Sequence, residues 1–85
     1  MPRTKRDTWN YDLIHNRRVV YRGVTDDPDR REGEHASEGK VFDHLRVRGR
    51  AKTRDSALDT EAESLERYRR THGGRNPKYN DTDHG

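Results

Sequence analysis

The chain has 85 residues, of which 41% are charged and 25% are hydrophobic. This length permits one small domain, the lack of cysteine excludes disulfides and thiolate metal sites, and no apolar run is long enough to cross a membrane. The apolar residues are clustered, which favours a folded core over disorder. We therefore expect a soluble cytoplasmic protein whose net charge of +3 fits a polyanionic partner.

The first half of the chain predicts two strands and a helix. Residues 1–8 are polar and are expected to form a flexible basic arm. Apolar runs at residues 11–15 and 19–24 predict two short strands joined by a turn at Asn16-Arg17. Asp27 then provides an N-cap and Pro28 a first helical position, which predicts a helix to about residue 36.

The second half predicts a strand, a longer helix and an ordered turn. Residues 41–50 alternate in polarity, so one face of a third strand would carry Arg46, Arg48 and Arg50. Residues 53–55 can cap a helix over residues 56–72, and its predicted buried stripe consists of Leu58, Ala62, Leu65 and Arg69. We expect an ordered turn at residues 76–80 and a disordered tail at residues 81–85. The predicted order is β-β-α-β-α, an α+β fold.

Polar residues with chemical potential follow the second strand at fixed distances. Tyr21 ends the apolar run, and Gly23 would let the chain turn. Arg31 and His35 are four residues apart, so a helix places both side chains on one face. Tyrosine, arginine and histidine beside a strand end could act on a phosphodiester. Such chemistry requires an acidic metal ligand, and Glu61 at the edge of the helical stripe is the candidate.

The ordered set of these residues resembles the GIY-YIG nuclease superfamily over residues 9–80. Tyr21-Arg22-Gly23 stands for the second signature, and Arg31 and His35 follow its tyrosine by ten and fourteen positions. The first signature is degenerate, since Trp9-Asn10-Tyr11 keeps only the tyrosine. Two C-terminal matches complete the set: the helix carrying Glu61, and Pro77-Lys78-Tyr79-Asn80.

The resemblance implies a small three-stranded antiparallel sheet flanked by helices, with one divalent cation, Mg²⁺ or Mn²⁺, on a concave catalytic face. Glu61 would hold the metal. Tyr21 would act as a general base or as a hydroxyl that positions the nucleophile, with Tyr11 beside it. Arg22 departs from the isoleucine of the family signature, and a lysine that some repair members carry just after the signature is absent.

The resemblance also assigns roles to the helical and C-terminal residues. Arg31 would hold the scissile phosphate and offset transition-state charge. His35 would relay a proton, and Asn80 would orient site groups through its side-chain amide. Three arginines of the third strand are candidates for tracking the phosphate backbone: Arg46, Arg48 and Arg50.

Each of these residues also has an ordinary structural explanation. Glu61 could be a solvated helix glutamate, and the tyrosines could be core residues with satisfied hydroxyls. Arg31 could be a surface arginine, and His35 could interact with the C-terminal helix dipole. Asn80 suits a turn, and the arginine strand could be a solvated face.

Three functions therefore stay open. The leading hypothesis is a metal-dependent endonuclease that cuts DNA rather than RNA, with low or structure-dependent specificity or with specificity supplied by a partner protein. The second is a nucleic-acid-binding module on the same fold without catalysis. The third is an interaction module whose arginine strand meets an acidic protein. Repair, mobile-element and restriction roles are all compatible with the first.

Overall fold

Five elements follow one another along the chain in a computed structural model that describes residues 6–80. They are β1 Thr8–His15, β2 Arg18–Thr25, α1 Pro28–Ser37, β3 His44–Lys52 and α2 Arg54–Thr71. The strands form one antiparallel sheet in the order β2-β1-β3. This confirms the predicted α+β fold, with its three-stranded antiparallel sheet and β-β-α-β-α order.

Local sequence signals fix the starts of both helices. The Asp27 carboxylate accepts a hydrogen bond from the Arg30 backbone, and Pro28 follows it as the first helical residue. Thr53 caps α2 in the same way, accepting from the Ser56 backbone. Each cap satisfies a backbone N–H that the helix cannot pair internally. Both predicted helix starts are therefore correct to within two residues.

Three predicted boundaries are wrong. β1 begins at Thr8, which pairs with Lys52 and is buried, so the predicted arm does not extend through residue 8. The predicted strand at residues 41–50 begins only at His44, because the Val41 backbone donates to the Tyr79 hydroxyl instead of to a strand. β3 also runs on to Lys52. Residues 1–5 and the predicted tail at residues 81–85 lie outside the described residues.

One face of the sheet carries the aromatic core. Antiparallel pairing sets Tyr11 opposite Gly23 and Leu13 opposite Tyr21, and residues that oppose each other directly share a face. Tyr11, Leu13 and Tyr21 form the buried cluster together with Val20, and Phe42, Leu45 and Tyr79 pack against it. His35 of α1 is fully buried against the two tyrosines. We call this side of the sheet the α1 face.

The opposite side is polar and is covered by α2. Asn10 donates to the Ala57 carbonyl at 2.9 Å, and Arg22 donates to the Ser64 carbonyl at 2.8 Å. Because sheet side chains bind the helix backbone directly, a stripe of small residues faces the sheet, with Ala57 and Ser64 buried. The predicted buried stripe is therefore only partly correct: Leu65 and Arg69 are partly buried, but Leu58 is 39% exposed and Ala62 is exposed as well. We call this side the α2 face.

Candidate functional site

Tyr11 and Tyr21 lie side by side on the α1 face because Gly23 leaves room for them. Their ring centroids are 6.0 Å apart. A Cβ at position 23 would come within 2.8 Å of both the Tyr11 hydroxyl and Cε2 of Tyr21. Gly23 lies inside β2 and pairs with Tyr11, so its predicted role as a turn is wrong. Its lack of a side chain lets two aromatic rings approach the strand, and Tyr21 likewise lies within β2 rather than at its end.

His35 joins the tyrosine pair from α1. Its Nε2 atom lies 2.6 Å from the Tyr11 hydroxyl, and its ring centroid is 4.8 Å from that of Tyr21. The α1 N-cap fixes the helix start, and seven residues later the helix directs His35 onto the sheet. At this distance one hydrogen bond joins the phenol oxygen to the imidazole nitrogen, so a proton can pass directly between them.

Arg31 lies one helical turn before His35 and closes the cluster on its outer side. Its side chain is 24% exposed and binds Glu34 at 3.0 Å, and it also hydrogen-bonds the hydroxyls of Tyr11 and Tyr21. Partial burial alone would lower the pKa of the guanidinium. The hydrogen bonds to Glu34 and to the phenols outweigh it and raise that pKa, so Arg31 carries a permanent positive charge at the mouth of the cluster.

The surroundings of Tyr11 keep its phenol protonated. Burial raises the pKa of Tyr11 well above the usual range for a phenol, and the adjacent Tyr21 raises it further, while Arg31 opposes both effects. The Tyr11 hydroxyl therefore has a proton to donate at neutral pH. If the neutral imidazole carries its proton on Nδ1, Nε2 of His35 accepts the proton of this hydroxyl across their 2.6 Å contact.

Two residues that sequence reasoning missed lie behind His35. Glu38 Oε1 is 3.5 Å from His35 Nδ1, and Lys40 Nζ binds the same carboxylate at 2.6 Å. Lys40 also lies 5.7 Å from the Tyr21 ring centroid, with only 9% of its side chain exposed. The three-residue spacing from His35 to Glu38 on a helix was a signal that could have found the carboxylate.

Asn80 holds the backbone beside the site. Its side-chain oxygen accepts from the Arg22 N–H, and its amide donates to the Arg22 carbonyl, both at 2.9 Å. The Tyr79 N–H donates to the Val20 carbonyl next to it. Residues 79 and 80 thus cover the outer edge of β2 and fix the strand that carries Tyr21 and Gly23.

Glu61 lies on a different part of the molecule from the tyrosines. It belongs to α2, whose neighbouring residues Ala57 and Ser64 pack on the α2 face. Burial raises the pKa of its carboxyl, and no hydrogen bond or ion pair joins it to another residue between positions 6 and 80. Within that same range, no three histidine or acidic side chains come together as a metal-binding group.

The three arginines of β3 do not form one free row. Arg46 Nη2 lies 3.1 Å from Oδ2 of Asp12, and Arg48 Nε lies 3.7 Å from the same oxygen. Gly49 has a φ of +75° in a stretch where the β1–β3 register shifts, so Arg50 falls after an irregularity that interrupts the alternation. The predicted wet face is therefore only partly correct: the Arg46 side chain remains 57% exposed beside Asp12 and Arg50 is exposed, whereas Arg48 is partly buried.

Asp12 is the buried charge that organises the α2 face. It is fully buried, and its other oxygen lies 3.4 Å from Arg22 Nε. Arg22, the departure from the family signature, thus supplies a cation to this network rather than an apolar contact. A single acid inside an otherwise apolar strand was the only sequence signal for it, because the arginines opposite Asp12 are set by the strand register.

In comparisons with known proteins, no family model, curated protein or solved structure matches the chain. Neither helix among residues 6–80 is both long enough and apolar enough to span a membrane.

Proposed function

We propose that the chain is a small cytoplasmic endonuclease of the GIY-YIG type that hydrolyses DNA with the help of a divalent metal ion. One observation carries the proposal. Four residues from two strands and a helix, chosen from sequence offsets, meet on one face, where the Tyr11 hydroxyl contacts His35 Nε2 and the rings of Tyr11, Tyr21 and His35 pack together. They are Tyr11, Tyr21, Arg31 and His35.

The contacts within this cluster support proton transfer away from an attacking water. The water oxygen would bond to phosphorus while the bond to the leaving ester oxygen breaks. A water proton would pass to the Tyr21 hydroxyl, whose own proton passes to Tyr11, whose proton passes to His35 Nε2. The leaving oxygen would take a proton from solvent, so the proton count balances.

Glu38 supports His35 as the final acceptor. For Nε2 to accept from Tyr11, the proton of the neutral imidazole is assigned to Nδ1, which faces Glu38 Oε1 at 3.5 Å. A carboxylate on that side would stabilise the imidazolium that forms by charge attraction. Lys40 holds the carboxylate in place through its own contact of 2.6 Å.

Arg31 would bind the phosphate, and Glu61 would hold the metal ion. The Arg31 guanidinium is only 24% exposed and already binds Glu34, but it has further N–H donors that could bind a phosphate oxygen. Glu61 is the residue that would hold Mg²⁺ or Mn²⁺, which would supply charge neutralisation when bound, although Glu61 lies on α2 and not beside Arg31. A carboxylate partly buried without a cation partner among residues 6–80 fits a hard cation, which can retain several waters as its remaining ligands.

Cleavage of a panel of DNA shapes tests the proposal. Supercoiled, branched, flapped and single-stranded DNA would be incubated with Mg²⁺, with Mn²⁺ or with chelator. Glu61→Ala would run beside Glu63→Ala, which removes an exposed glutamate of the same helix. We expect metal-dependent nicking that Glu61→Ala abolishes and Glu63→Ala retains. Equal cutting by both variants would overturn the role of Glu61. The preferred shape would show whether the chain selects structure or depends on a partner protein for specificity.

A second candidate is a nucleic-acid-binding module without catalysis. It is favoured by the position of Glu61 on the helix that covers the α2 face, whereas the tyrosines lie on the α1 face. Salt-sensitive DNA binding with no metal-dependent product on any substrate would support this candidate over the nuclease.

A further inference from the structure

An open cavity of about 560 Å³ lies beside the β1–β2 turn. Arg22 stands between Tyr21 and Gly23 in β2, so its side chain points to the other side of the sheet, where it binds the Ser64 carbonyl of α2. The cavity is therefore on the α2 face, away from the tyrosine cluster. Its lining residues are Arg17, Arg18, Val19, Arg22, Tyr68 and His72.

The lining is basic and contains no carboxylate. Arg17 and Arg18 are exposed and form no ion pair with any other residue between positions 6 and 80. Arg22 shares its counter-ion, Asp12, with two further arginines, so one carboxylate faces three guanidinium groups. The cavity therefore has positive charge that the described part of the chain leaves uncompensated, which suits an anion.

The turn keeps an arginine where glycine would be easier to accommodate. Asn16 and Arg17 both have positive φ, 51° and 64°, as in the two-residue hairpin turns that favour Asn-Gly. Asparagine tolerates this conformation, but a long side chain at the second position is unfavourable. The strained turn therefore places the Arg17 charge at the cavity, and strain of this kind is concentrated at functional sites.

An aromatic pair forms another wall. The rings of Tyr68 and His72 stack with centroids 3.7 Å apart and an interplanar angle of 2°, and the Arg22 guanidinium lies 5.6 Å from the Tyr68 centroid. His72 is exposed. Proteins that bind single-stranded nucleic acids combine a positive groove with aromatic side chains on which bases stack. A plain anion would make no use of this wall, whereas a nucleotide would.

We propose that this cavity binds single-stranded nucleic acid, with Arg17, Arg18 and Arg22 holding a backbone phosphate and the Tyr68–His72 pair contacting the adjacent base. The site is separate from the tyrosine cluster. It shares with the proposed function only the class of ligand, and binding here does not require cleavage.

Fluorescence anisotropy tests the proposal. The probe is a labelled oligothymidylate of about 12 nucleotides, and chelator is present so that no metal-dependent cutting occurs. Arg17→Gly relieves the strained turn, so we expect a higher urea midpoint together with weaker binding. Arg17→Gly combined with Arg18→Ala should weaken binding roughly tenfold or more and should reduce the log–log salt slope by about 0.7 per lost phosphate contact. The control is Arg67→Ala on the exposed side of α2, which should bind within about twofold of wild type.

Two outcomes would overturn the inference. One is an unchanged affinity in the double variant, and the other is an equal loss of affinity in Arg67→Ala, which would indicate non-specific binding by charge.

Tyr68→Leu keeps the charge and should weaken binding of the single strand but not of a duplex of the same length. Equal effects on both would refute the base contact. If the protein binds through Arg17 and Arg18 but cuts no substrate, the proposed nuclease activity is refuted and the proposed binding site stands. If the protein cuts DNA but its affinity for the single strand is unchanged by these substitutions, the proposed binding site is refuted and the nuclease activity stands.

Discussion

The hydroxyl of Tyr11 lies 2.6 Å from Nε2 of His35. The contact joins the central strand β1 to the helix α1 across a sequence separation of 24 residues. Both side chains are buried. A buried pair of this kind both stabilises the fold and provides a route for a proton, so the two roles must be separated by experiment.

Tyr11→Phe separates them. Removing the hydroxyl leaves the buried Nε2 atom of His35 without this partner, which should cost about 1–3 kcal/mol of unfolding free energy. If Tyr11 passes protons, nicking should fall by about 100-fold or more. Tyr79→Phe is the control, because it also loses a hydroxyl contact, but to the Val41 backbone rather than to His35. Urea denaturation and plasmid nicking measure the two effects; a stable Tyr11→Phe variant that cuts normally would exclude the proton route.

Gly23→Ala should disrupt the tyrosine pair. The added Cβ would come within 2.8 Å of the Tyr11 hydroxyl and of the Tyr21 ring, so the aromatic side chains must shift, at about 1–3 kcal/mol of stability. Gly33→Ala is the matched control, since its Cβ meets nothing within 4 Å in the middle of α1. That variant should gain about 0.5–1 kcal/mol. Equal effects of the two substitutions in urea denaturation would contradict the close packing at Gly23.

Glu61→Gln should change the pH dependence of stability. Burial raises the folded-state pKa of Glu61 above its ordinary value of 4.5, so the contribution of this group is most favourable below that value and is lost as pH rises through the folded pKa. The variant should therefore match wild type near about pH 4 and melt at a higher temperature near about pH 7.

The same pair of proteins reports on the metal. Added Mg²⁺ should raise the melting temperature of wild type near about pH 7 and leave Glu61→Gln unchanged, because a ligand stabilises only the state that binds it. Glu63→Gln should respond to pH and Mg²⁺ as wild type does. An equal Mg²⁺ response in Glu61→Gln would show that another group binds the ion.

Asp12→Asn should be strongly destabilising. It removes the buried counter-ion of Arg22, which is largely buried itself, and such a loss costs about 3–5 kcal/mol. The control is Asp26→Asn, in an exposed pair with Arg30, where we expect a change within about 0.5 kcal/mol. A small effect of Asp12→Asn in urea denaturation would mean that water, rather than this carboxylate, compensates the arginines.

Local signals in the sequence were sufficient for the element order. Asp27 and Thr53 cap their helices through their own side chains, and the Asn16-Arg17 turn brings adjacent strands together. Each of these depends on neighbours a few residues away, so it can be predicted from the sequence without knowing the fold. The offsets from Tyr21 to Arg31 and His35 lie within one strand–helix unit, which is why these side chains could be expected to meet.

Long-range pairing could not be predicted in this way. Leu58 and Ala62 form the more apolar stripe of α2, yet Ala57 and Ser64 face the sheet, because Asn10 and Arg22 donate hydrogen bonds to the helix backbone. Asp12 became important only once the register set arginines opposite it on both sides. The role of Gly23 could not be predicted either, because its close approach to Tyr11 depends on that same register.

Nicking of supercoiled plasmid in Mg²⁺ by Arg31→Ala and Arg30→Ala, purified beside wild type, tests the central claim most directly. The two arginines are adjacent on α1, but only Arg31 contacts the tyrosines, whereas Arg30 pairs with Asp26 at the surface. We predict metal-dependent nicking by wild type and Arg30→Ala and a loss of about 100-fold or more in Arg31→Ala. Equal nicking by all three proteins, or none by wild type, would contradict a hydrolytic centre at the tyrosine cluster.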